Sequence, residues 1–199
     1  MKKVLLILTV IAISLTSFTT GEDIVLMSGS LDFFNQAKSV YVEFDMSKTS
    51  IDALSSETAF VDYRIKKEKE SKNGKPESAV RADWEKDKKY IINNFLIALQ
   101  KNLDDYPVAF NNDNLKSDYK MVILPSHWET GNPMKYSSVK YKILVTETAT
   151  GNSVAVVNVP TFNGDQMGPM NPTVGMRIVV ANTLSILGLK KYLKKTFKK

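Results

Sequence analysis

Val139-Lys140-Tyr141-Lys142-Ile143-Leu144-Val145-Thr146 and, across the turn Thr150-Gly151-Asn152, Ser153-Val154-Ala155-Val156-Val157-Asn158-Val159 are the segments that decide the fold. In the first, Val139, Tyr141, Ile143 and Val145 alternate with Lys140, Lys142, Leu144 and Thr146, the two-residue period of a half-buried strand. The second is rich in valine, and the glycine-bearing turn makes the pair an antiparallel hairpin. Upstream, Tyr119 to Leu124 is a short apolar run closed by Pro125. Ser39 to Asp45 alternates as cleanly, with Val40, Val42 and Phe44 on one face and Tyr41, Glu43 and Asp45 on the other.

Helices are predicted on both sides of these strands. After a polar connector from Ser47 to Ser56, a helix from Glu57 to Lys69 turns Phe60, Tyr63 and Ile65 inward. The Gly- and Pro-bearing stretch from Ser71 to Pro76 interrupts it. The longest element runs from Glu77 to about Asp104 and lines up Val80, Trp84, Ile91, Phe95, Leu99 and Leu103 on one side. Pro107 prevents its continuation. A loop containing Gly164, Gly168, Pro169 and Pro172 leads to a last helix, Thr173 to about Phe197. That helix is apolar almost all round as far as Leu189, which predicts deep burial, and lysine-rich beyond. The order β-α-α-β-β-β-α predicts an α+β domain: a mostly antiparallel sheet of four to five strands with helices packed on it.

The first twenty residues have a different character. Lys2 and Lys3 precede an apolar run from Val4 to Ile13, followed by small hydroxylated residues up to Thr20. This is the layout of a cleavable secretory signal, and the run is shorter than the roughly 20 apolar residues of a spanning helix. Residues 1–20 are therefore expected to be a signal peptide, and 21–199 a single domain in the periplasm or outside the cell. Cysteine is absent, so the exported chain would have no disulfides and no acylated cysteine of a lipoprotein. The formal charge is +6, but Lys2, Lys3 and six lysines at the end (Lys190, Lys191, Lys194, Lys195, Lys198, Lys199) account for all of it. The domain body is near neutral, which argues against a nucleic-acid footprint.

Four residues stand out as candidate binding groups. His127, the single histidine, sits in Ser126-His127-Trp128-Glu129. It can serve as a general base, yet no Gly-x-Ser-x-Gly elbow accompanies it, and zinc needs more His or Cys than this chain has. Glu43 and Asp45 share a strand face at about 7 Å. They suit acid–base work or a hard cation, or else pairing with basic side chains. Arg177 opens an apolar helix, where it can hold an anionic ligand or an internal carboxylate such as Asp45 or Glu43. The polar run Asn111 to Asn114 lacks calcium-loop spacing, and Met134, Met167 and Met170 offer an adaptable surface. The lysine end can touch an anionic surface or simply complement the helix dipole. No cofactor, metal site or catalytic residue is implied.

Val40-Tyr41-Val42-Glu43-Phe44-Asp45, Trp84, the Tyr119 to Leu124 strand, Val174-Gly175-Met176-Arg177-Ile178 and the lysine-rich end together resemble a family of uncharacterised exported proteins of Bacteroidetes-type bacteria. The resemblance spans roughly residues 29–199. It implies an α+β sheet-and-helix domain in the envelope or outside the cell, and no known reaction. The expected function is non-catalytic binding of an envelope or extracellular partner. The alternative is a small exported hydrolase or cation-dependent enzyme using Glu43, Asp45, His127 or Glu129, alone or with a divalent cation.

Overall fold

The computed structural model describes residues 23–112, 117–132, 135–164 and 173–198. The expected signal, Asn114, the three loop methionines and Lys199 lie outside them. In chain order the elements are β1 (Val25–Gly29), α1 (Phe33–Gln36), β2 (Ser39–Phe44), β3 (Ser50–Ile51), α2 (Glu57–Glu70), α3 (Glu77–Asn102) and β4 (Ala109–Asn111). They continue with β5 (Tyr119–Glu129), β6 (Ser138–Glu147), β7 (Ser153–Asn163) and α4 (Val174–Phe197). The domain is α+β, as the patterning predicts.

The sheet is larger than expected and mixed. It has seven strands in the order β1-β7-β6-β5-β2-β4, with β3 added beside β5. β6 and β7 form the predicted antiparallel hairpin, and β5 and β1 flank it antiparallel. β2, however, runs parallel to both β5 and β4, and β3 runs parallel to β5. The connection explains the correction. Two helices intervene between β2 and β5, and a crossover of that length returns the chain in the same direction. β5 also passes straight through Pro125, with a register shift between Pro125 and His127 that accommodates a residue unable to donate to the ladder.

All four described helices gather on one face of this sheet. The Phe95 ring of α3 meets Phe44 of β2 edge-on at 5.0 Å and Tyr141 of β6 at 5.9 Å. Trp84 of α3 meets Trp128 of β5 at 6.5 Å and Phe60 of α2 at 5.0 Å. Phe33 of α1 reaches Tyr119, and Ser185 of α4 reaches Tyr141. Every position of the predicted α3 stripe is buried. Ser56 caps α2 by accepting from the Ala59 N–H at 3.1 Å, and Thr173 caps α4 by accepting from Met176 at 3.2 Å.

Two burial expectations fail. Tyr63 faces solvent, 49% exposed, so α2 contributes Phe60, Val61 and Ile65 instead. α4 is not buried all round: Met176, Val180 and Leu187 are exposed, while the polar Asn182 and Ser185 are buried. The Tyr141 hydroxyl lies 2.6 Å from Ser185 Oγ, which donates to the Asn182 backbone carbonyl at 2.7 Å, so hydrogen bonding accounts for Ser185 on the inward face. The buried Asn182 side-chain nitrogen has no hydrogen-bond partner among the described residues. Gly188 lets α4 approach β7, since a Cβ at that position would lie 2.4 Å from the Phe162 ring.

Candidate functional site

The opposite face of the sheet carries no described helix. Strand alternation sends Tyr41 and Glu43 of β2 there, with Lys120, Val122 and Leu124 of β5, Lys140, Lys142 and Leu144 of β6, and Val156 and Asn158 of β7. The ladder places Glu43, Val122, Leu144 and Val156 in one row, and Leu124, Lys142 and Asn158 in the next. An antiparallel sheet open to water normally shows polar side chains on its wet face. Here Val122, Leu124, Leu144 and Val156 stand half-buried on it, outside the core on the helical side.

Glu43 lies at one margin of this surface. Lys120 pairs with it at 2.9 Å and the Tyr41 hydroxyl donates to it at 3.2 Å. Burial, and then that hydrogen bond, push the Tyr41 phenol above its ordinary range. Asp45 lies just past β2. Its carboxylate accepts from the Ser47 N–H at 2.9 Å, and the Ser47 hydroxyl and amide hold it below the usual carboxylate range. Glu43 and Asp45 thus have separate local partners.

His127 lies at the far end of the same face. The parallel pairing of β3 with β5 sets Ser50 opposite His127, and Ser50 Oγ approaches His127 Nδ1 at 2.9 Å. His127 Nε2 is 3.8 Å from Glu129, which Lys135 grips at 2.7 Å. The Glu129 hydrogen bond raises Lys135 above its ordinary value. The β6 partners Lys140, opposite His127, and Leu144, opposite Val122, are four residues apart, so His127 lies about 13 Å of strand from the row that holds Glu43. The sheet thus does not bring Glu43 and Asp45 together with His127, whose nearby carboxylate is Glu129.

Arg177 lies near the start of α4. Its Nε donates to the Thr130 carbonyl at 2.6 Å, and its own carbonyl accepts from Ser137 Oγ at 2.9 Å. The expected carboxylate partners, Glu43 and Asp45, are engaged elsewhere. Thr130 in turn gives its N–H and hydroxyl to Asp52, at 2.7 Å and 2.9 Å. Asp52 adopts a left-handed backbone, φ 54°. Ser50 and Asp52 escape sequence reasoning because β3 is two residues long.

The lysine end of α4 is partly committed. Lys190 pairs with Asp104 and Asp105 at 3.2 Å, and Lys194 with Asp105 at 2.9 Å. Lys191, Lys195 and Lys198 are exposed. A cleft of about 480 Å³ at the start of β2 and β5, lined by Lys38, Asp118, Tyr119 and Glu147, contains none of the four candidates. Its Asp118 carboxylate already accepts from the Lys38 and Ser39 N–H groups. Among the described residues no three His, Asp or Glu side chains gather as metal ligands.

Lys140, Lys142 and Leu144 are the residues the patterning undervalued. They read as the wet side of a strand, and the signal lay in Leu144, an apolar residue out of place in that set. Lys140 stands opposite His127 and Lys142 opposite Leu124. No carboxylate among the described residues lies within ion-pair distance of either lysine.

The fold is thus an α+β layer pair in which no described helix covers one sheet face. No protein-family model and no curated protein sequence matches the chain. Among solved structures it is similar to the PelC dodecamer from Paraburkholderia phytofirmans, at 12% identity and a TM-score of 0.43, covering 83% of this chain and 98% of that one. A single-substitution variant of that dodecamer is similar at 13% identity and a TM-score of 0.38, covering 83% and 95%. No described helix is long and apolar enough to cross a membrane.

Proposed function

We propose that this chain is an exported binding domain of the envelope or extracellular space, and that it engages its partner through the uncovered face of its sheet. The observation that carries the reading is the apolar row Val122, Leu144 and Val156 on a face that no described helix covers. Such a row in contact with water favours association, at about 25 cal/mol per Å² of apolar surface removed from solvent. The basic start, apolar run and small-residue segment of residues 1–20 support export.

A photo-crosslinking residue at position 144, compared with one at the exposed Lys86 of α3, tests the face in living cells. The expected result is a discrete adduct from position 144 and none from position 86, on a leader-processed chain outside the cytoplasm. Recovery of the leader-bearing chain in the cytosol would defeat the export half. Illumination that gives no adduct at position 144 would defeat the binding half.

A further inference from the structure

We propose that the uncovered face receives an amphipathic helix of a partner protein, with acidic residues placed beside the helix's apolar stripe. This rests on the reading of that face as the binding surface and names the chemistry of its occupant. Three observations carry it.

The first is shape. Val122, Leu144 and Val156 occupy three neighbouring strands. At about 4.8 Å between strands the row is about 10 Å wide, the diameter of one helix with its side chains. Helices and sheets are what cover sheet faces, and the helical layer on the other side of this sheet shows the same solution.

The second is charge. Lys120 and Lys135 on this side have carboxylate partners, Glu43 and Glu129. Lys140 and Lys142 have none among the described residues, and His127 stands across from Lys140. The face therefore presents apolar surface next to uncompensated positive charge. An acidic, apolar ligand complements both. A second copy of this face complements it less well, because Glu43 and Glu129 are already paired and Asp45, held by Ser47, is a single carboxylate against two lysines.

The third is spacing. Lys142 and Lys140 follow Leu144 along β6 at about 7 Å and about 13 Å. On a helix lying along the strands, acidic residues four and eight positions from an apolar anchor rise about 6 Å and about 12 Å. They reach both lysines from one helical face.

The probes are two synthetic helical peptides with the same leucine stripe. One carries glutamate four and eight positions beyond an anchoring leucine, the other lysine at the same places. The glutamate peptide is expected to bind the protein at least about tenfold more tightly at low salt, with the advantage shrinking as salt rises. Lys140→Glu with Lys142→Glu reverses the preference, and Leu144→Asp abolishes binding of both peptides. Unchanged far-UV circular dichroism and melting show that these variants fold.

Equal binding of the two peptides, or binding of neither, overturns the proposal. Co-sedimentation with phosphatidylglycerol-containing vesicles by a protein that ignores both peptides overturns it in favour of a lipid surface. A dimer in sedimentation equilibrium that Leu144→Asp dissociates overturns it in favour of a second copy. A cellular adduct at position 144 together with no glutamate preference removes this inference alone and leaves the binding reading standing.

Discussion

Ser50 Oγ and His127 Nδ1 meet at 2.9 Å across the β3–β5 pair, and the Ser126 carbonyl lies 3.0 Å from the same oxygen. A carbonyl only accepts, so the bond set closes when the serine proton points to Ser126 and Nδ1–H donates to Ser50. This assignment follows from the acceptors around the hydroxyl. It turns an N–H, not a lone pair, toward the serine, the reverse of the serine-to-base hydrogen bond of a hydrolase.

The arrangement predicts that a fluorophosphonate probe leaves Ser50 unlabelled. Ser50→Ala should leave activated-ester turnover at the background rate of the wild type and shift stability by no more than about 1.5 kcal/mol. Labelling of Ser50, lost in Ser50→Ala, would overturn this assignment of the proton.

Trp84 predicts a larger effect. The indole is buried, yet its N–H donates to Glu57 Oε1 at 2.7 Å, and Lys88 donates to the same oxygen at 2.7 Å. Glu57→Ala strands both donors and should cost about 1–3 kcal/mol in urea unfolding. Glu57→Gln keeps a carbonyl oxygen for the indole and should cost less than half of that. Equal losses would mean that the indole bond contributes nothing.

How much of this was legible in the residues can be seen strand by strand. Val139 to Thr146 and Ser39 to Phe44 announce themselves because each buries one face and the side-chain period is two. Whether β2 lies parallel to β5 is not written in that period; it follows from the two-helix crossover between them. β3 and β4 are two and three residues long, too short for any period, and they exist only because a neighbouring strand supplies hydrogen-bond partners. The site divides in the same way. His127 and Glu43 were visible as lone chemical groups, whereas the Ser50–His127 contact spans 77 residues of chain and depends on β3 pairing. The inward side of α4 was hidden by an apolar run without a polar stripe, and Tyr141 and Ser185 settle it.

Asp105 gives the lysine end of α4 a pH signature. Its hydrogen bonds to Lys194 and then Lys190 hold its carboxyl below the usual value. A depressed folded value means that the stabilisation is complete above the unfolded value, about 3.9, and fades as pH falls through the lower, folded one. The wild type should therefore lose melting temperature more steeply than Asp105→Asn as pH drops below about 4. Near pH 7 the variant should melt lower. Because the pairs are on the surface, 0.5 M salt should shrink the gap. Parallel melting curves for the two proteins across that range would remove the ion pairs from the account.

Asp52 joins three elements through one side chain. Its carboxylate takes both donors of Thr130, whose carbonyl accepts from Arg177 at the start of α4. Its backbone holds a φ of 54°, a region that costs most residues about 1–2 kcal/mol and that Asn, Asp and Gly tolerate. Asp52→Ala should therefore lose twice, once for the strain and once for the stranded Thr130 amide, which is buried. The sum is about 2–5 kcal/mol. Asp52→Gly relieves the strain but still strands the amide, and should fall about 1 kcal/mol short of the alanine loss. Asp52→Asn keeps the backbone preference and one acceptor and should be the mildest of the three. Urea unfolding of the set distinguishes the contributions, and an alanine variant no worse than glycine would show that the left-handed turn is not what makes this position demanding.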